Sequence, residues 1–130
     1  MQAQLYTLAE ARAVLPQIKE LMAMVQAARQ EILRLRPAAW PALQKAASNG
    51  GGHEAGELVL QFRKLEAGVK GILALGVLIK DLDKGLVDFL GWRDGHKIYL
   101  CWHYGEDDIL FWHDLNSGFA GRRPIDSLVR

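Results

Sequence analysis

GLVDFLGWRDGHKIYLCWHY, running from Gly85 to Tyr104, is where the chain changes its period. Before it, apolar residues recur at spacings of three and four; within it they alternate. Leu86-Val87-Asp88-Phe89-Leu90 and Lys97 to Tyr104 read as strands, and Ile109-Leu110-Phe111-Trp112-His113 reads as a third. Trp92-Arg93-Asp94-Gly95 carries an Asp-Gly turn signal between the first two, and Gly105-Glu106-Asp107 closes the second pair. The spacing therefore predicts a three-stranded antiparallel meander over about 85–114, followed by an ordered loop over 115–130.

Upstream, the pattern is helical. Thr7-Leu8-Ala9-Glu10 fits a capping box, in which threonine and glutamate each satisfy a backbone N–H of the other. Val14, Leu15, Ile18, Leu21, Met22, Val25, Ala28, Ile32 and Leu35 then form one stripe. Pro16 predicts a kink or restart, and Pro37 and Pro41 predict a stop. Ser48-Asn49-Gly50-Gly51-Gly52 breaks the chain, since three glycines are costly to hold in a helix. A second seam follows at Leu58, Phe62, Leu65, Val69, Ile72, Gly76 and Ile79. Gly68, Gly71 and Gly76 would each cost up to about 1 kcal/mol in a helix relative to alanine, which suits a backbone lying close by. The expected fold is α+β: a long antiparallel helical hairpin over about 8–81, then the sheet, in a single domain of residues 1–130. The apolar helix faces bury each other, or a partner's pair in a homodimer.

Bulk composition narrows the function classes. The chain has 130 residues, is 50% hydrophobic and 24% charged, and carries a net charge of +1. That balance argues against a general pull towards nucleic acid or acidic membranes. One cysteine forms no intramolecular disulfide and no multi-thiolate zinc site. No secretory signal and no apolar run of about 18 residues stands out, so a soluble, cytoplasmic protein without a membrane partner is expected.

The chemistry-bearing residues crowd into CWHYGEDDILFWHDLNSGFAGRRPI, Cys101 to Ile125. On the middle strand, Ile98, Leu100, Trp102 and Tyr104 share one face, while Tyr99, Cys101 and His103 share the other. With an odd-length loop, His103 and His113 also share a face. A divalent metal could then be held by His103 and His113, with Glu106 or Asp114 as an oxygen ligand and His53 approaching from the helices. Imidazole and carboxylate suit zinc, iron or manganese. Alternatively, the histidines hydrogen-bond locally on a half-exposed strand. Asp88 interrupts an apolar strand and either meets solvent or joins the histidines, with solvent the favoured expectation.

Arg122 and Arg123 follow a glycine-flanked loop and could bind a carboxylate or phosphate, or pair with a local acid to dock the tail. Asp81 to Asp88, DLDKGLVD, lacks the oxygen count of a calcium loop. Cys101 is expected as a small buried residue rather than a nucleophile. Trp92, Trp102 and Trp112, ten residues apart, suit core packing better than base stacking, given the acidic residues nearby.

YTLAEARAVLP, GGGHE, KDLDKGLVDF and the Cys101–Ile125 stretch together resemble DUF2203, a domain-of-unknown-function family of small bacterial and archaeal proteins. The resemblance spans nearly the whole chain and implies one intact domain, with no activity attached. It matches at His53, Asp81, Asp83, Asp88, Cys101, Glu106, His113, Gly118, Gly121 and Arg122. It departs at His103, where the family pattern has a basic residue such as arginine or lysine, and at Leu90, where it has proline. The resemblance therefore shifts the weight of the site to His113, Glu106 and Arg122, with His53 beside them. Two functions follow: a polar pocket for a divalent metal or a small anion, enzymatic or not, or a non-catalytic interaction module that acts through the helical hairpin.

Overall fold

The computed structural model describes the backbone of residues 3–49 and 53–128, and the side chains of 3–35 and 56–128. The capping box forms as its residues predict. The Thr7 N–H donates to Glu10 Oε1 at 2.9 Å, and the Glu10 N–H donates to Thr7 Oγ1 at 3.1 Å. Helix α1 then runs from Leu8 to Asn49 and passes through Pro16, Pro37 and Pro41. At Pro16 the loss of one backbone bond is outweighed by packing, because Ala11, Leu15 and Ile18 around it are all buried. Of the predicted break, Gly50, Gly51 and Gly52 lie outside the described residues.

Helix α2, His53–Ala74, returns along α1. Its buried stripe is Leu58 and Ile72, with Leu65 and Val69 half-buried. The expected seam differs at Phe62, which is 51% exposed on the flank of that stripe. Gly68 explains how the helices approach. A Cβ there would lie 2.5 Å from Val25 Cγ2 and 3.1 Å from the Leu21 carbonyl oxygen.

Five strands follow rather than the expected three: β1 Leu78–Asp81, β2 Leu86–Arg93, β3 His96–His103, β4 Phe111–Asp114 and β5 Arg123–Pro124. They form one antiparallel sheet in sequential order. The extra strands lie at its two edges. β1 takes residues whose spacing continues that of α2, because the helix ends at Ala74 and Gly76 turns the chain with φ 76°. β5 is two residues of the region expected as loop. The Asp94-Gly95 turn forms as read, with both residues at positive φ and Arg93 opposite His96.

Strand alternation divides the sheet. Val87 and Phe89 of β2, Ile98, Leu100 and Trp102 of β3, and Trp112 of β4 turn inward and form one core with Ile18, Met22, Val25 and Ile72. Trp92 is instead exposed. Among the described residues no helix is long and apolar enough to cross a membrane.

The helix contact predicts a reversal of sign between two glycines of α2. Gly56→Ala, with nothing within 4 Å of its added methyl, should gain up to about 1 kcal/mol from helix propensity. Gly68→Ala should instead lose about 1–3 kcal/mol by overpacking against Val25. Urea midpoints decide it; a stabilising Gly68→Ala would contradict the close approach.

Candidate metal centre on the outer sheet face

The face of the sheet turned away from the helices carries the polar residues. Asp88 on β2 lies opposite Cys101 on β3, and Tyr99, two positions along, lies opposite His113 on β4. Seven residues separate β3 from β4, and that odd number brings Cys101 and His113 onto one face. Asp88, Cys101 and His113 are only 2%, 2% and 3% exposed, and one ligand atom of each lies within 4.8 Å of the others. Asp88 thus joins the histidine rather than solvent, against the favoured expectation.

Hydrogen bonding fixes the imidazole. A carbonyl oxygen only accepts, so His113 Nδ1 carries hydrogen and donates to the Asp114 carbonyl at 2.8 Å. Nε2 is thereby turned to Asp88 and lies 3.2 Å from both carboxyl oxygens. One proton satisfies that contact, whether carried by the ring or by the acid. Burial raises the Asp88 pKa above its ordinary value, against the opposing pull of His113 and Lys80. Burial first, and then the charge of Asp88, pushes the Cys101 thiol up to about 12. Without a metal it is a thiol at neutral pH, consistent with the expected non-nucleophilic cysteine.

These three side chains and Tyr99 line a pocket of about 290 Å³. Leu86, Leu115 and Phe119 supply apolar wall, and Lys80, Asp81, Lys84 and Gly118 complete the lining. The β1–β2 turn is tied to α1, where Gln26 Nε2 donates to the Leu82 carbonyl at 2.8 Å and Arg29 pairs with Asp83 at 3.1 Å.

The other expected site residues lie elsewhere. Glu106 and Arg122 meet each other: Arg122 Nη2 donates to Glu106 at 2.6 and 2.9 Å, and the pair is mostly buried. The Arg122 guanidinium also covers the rings of Phe111 at 4.0 Å and Phe119 at 4.6 Å. Glu106 accepts the His103 backbone N–H at 2.8 Å, which turns the strand end. Neither Glu106 nor Arg122 lines the pocket. His103 shares the face of His113 but sits four strand positions from Tyr99, the partner of His113, or about 13 Å along the strand. Its ring packs edge-on to Phe119. Arg123 is exposed and pairs with Asp114 at 3.6 Å. His53 opens α2, roughly 30 Å along the helix from Ala74, and its side chain lies outside those described.

Asp88 and Cys101 were visible as residues but not as a pair. The signal that could have joined them is the β2–β3 register, which the Asp-Gly turn determines: with Arg93 opposite His96, Asp88 falls opposite Cys101.

The pair of Glu106 and Arg122 yields a stability prediction. Glu106→Gln leaves a mostly buried guanidinium without its counter-charge and should cost about 3 kcal/mol. Joining it to Arg122→Met should restore part of that loss in a double-mutant cycle read by urea unfolding. Additive losses would mean that the two side chains are not coupled.

The chain belongs to the family described as Uncharacterized conserved protein (DUF2203), whose match covers residues 4–125. No curated protein and no solved structure matches it.

Proposed function

We propose that Asp88, Cys101 and His113 bind a single divalent metal ion, with the pocket above them leaving room for a further ligand. The observation that carries this reading is the convergence of one carboxylate, one thiol and one imidazole within 4.8 Å, all buried. Zinc suits this oxygen, sulfur and nitrogen set best, because thiolate and imidazole both favour it and it is commonly held by three protein ligands in sites that keep an open position. The Asp114 carbonyl supports the ligand set from behind, since it holds Nδ1–H and so presents the Nε2 lone pair to the cluster. A reducing cytoplasmic setting would keep Cys101 available as a ligand. When bound, such an ion acts as a Lewis acid and lowers the pKa of water in an open position.

Zinc titration of chelator-treated, dialysed protein tests this reading. One zinc per chain is expected, with release of about two protons, one from Cys101 and one from the Asp88–His113 contact. Calorimetry in two buffers of different ionisation enthalpy reads both numbers. Cys101→Ser and His113→Ala should each weaken binding by at least about tenfold. No binding, or equal binding by both variants, would refute the metal centre.

A second reading concerns the helices and is compatible with the first. Leu33 on α1 and Val59, Leu60 and Phe62 on α2 are between 44 and 51% exposed, an apolar surface suited to a homodimer through helix faces. Sedimentation should show a dimer at micromolar concentration and a folded monomer for Phe62→Asp. A monomeric wild type would exclude it.

A further inference from the structure

We infer that the same pocket takes a small oxyanion, a carboxylate or phosphate on a short apolar body, held between Lys80 and the metal ion. This rests on the metal reading and deepens it. The first support is charge. A divalent ion with the Asp88 carboxylate and the Cys101 thiolate is neutral, and His113 adds nothing as a neutral ligand. Of the remaining lining residues, Lys80 and Lys84 outnumber Asp81, so one positive charge is left over. An anion is the complementary ligand.

The second support is that the two lysines are not already spent. Among the described residues neither forms an ion pair; Lys80 Nζ instead lies 4.4 Å from the centre of the Tyr99 ring. Asp81, the acid beside them in the lining, accepts the backbone N–H of Lys84 through Oδ1 at 3.1 Å. Arg122, the most buried guanidinium of this face, is already matched by Glu106.

Backbone geometry supplies the third support. Between Ile79 and Asp81 the β1–β2 register shifts, so Ile79 lies opposite Val87 while Asp81 lies opposite Leu86. Lys80 is the extra residue of this bulge. Bulges re-aim side chains, and this one allows the consecutive residues Lys80 and Asp81 both to line the pocket, where regular alternation would send one of them to the opposite face. The size of the pocket sets the limit on the ligand. About 290 Å³ is at the small end of the range for ligand sites, and Leu86, Leu115 and Phe119 would cover an apolar portion.

The test uses zinc-loaded protein titrated by calorimetry with inorganic phosphate in one arm and benzoate in the other. At least one probe should bind one-to-one. Lys80→Met should weaken that binding by about tenfold or more while the zinc stoichiometry stays at one per chain. Lys97→Met, an exposed lysine outside the pocket, should leave both unchanged. Zinc bound without binding of either anion would overturn this inference and leave the metal centre standing, as would Lys80→Met binding the anion as tightly as wild type. Failure to bind zinc at all would remove both.

Discussion

A carboxyl group buried on the face of the sheet turned away from the helices is the constraint around which this molecule is organised. β2 must present Val87 and Phe89 to the helices, and strand alternation then sends Asp88 to the other side. There it is 2% exposed. A carboxyl group so far from water needs a partner, and β4 provides one in His113. The carbonyl of Asp114 settles the orientation of that ring, and Cys101 completes the group from the strand between. Replacing either Asp88 or His113 by an apolar residue would leave the other polar group unmatched.

The chain beyond β4 covers that face. Leu115 and Phe119 form pocket wall and Arg122 lies over Phe111 and Phe119, while on the inward side Trp112 Nε1–H donates to Ser127 Oγ at 2.9 Å. The long helix α1 holds the opposite margin. Gln26 and Arg29 grip the β1–β2 turn, while Arg12 pairs with Asp108 and Lys19 donates to the Asp107 carbonyl in the β3–β4 loop. The acidic residues that make the Cys101–Ile125 stretch look chemically dense are largely spent in this docking. The least exposed ionisable side chains of that stretch are Cys101 and His113.

The local signals were legible because they depend on neighbours in the chain. The Thr7–Glu10 box, the change of period near Gly85 and the Asp94-Gly95 turn each form as read. Signals that depend on distant contacts misled or were silent. β1 was hidden because Ile79 continues the spacing of Ile72 and Gly76, although the chain has already turned at Gly76. β5 is two residues long and includes a proline, too short for any alternation. Phe62 keeps the heptad spacing, yet the true seam is centred where Gly68 admits the side chain of Val25. Asp88 is the most instructive case. Solvent is the usual partner of a strand aspartate, and only the register of three strands together reveals that His113 and Cys101 take its place.

X-ray absorption at the zinc edge of the loaded protein tests the metal centre most directly, because it counts the atoms around the ion. One sulfur at about 2.3 Å is expected, together with nitrogen and oxygen at about 2.0–2.2 Å, and the sulfur shell should vanish in Cys101→Ser. A first shell without sulfur would contradict the assignment, since it would place the metal away from the one cysteine at the centre of the sheet.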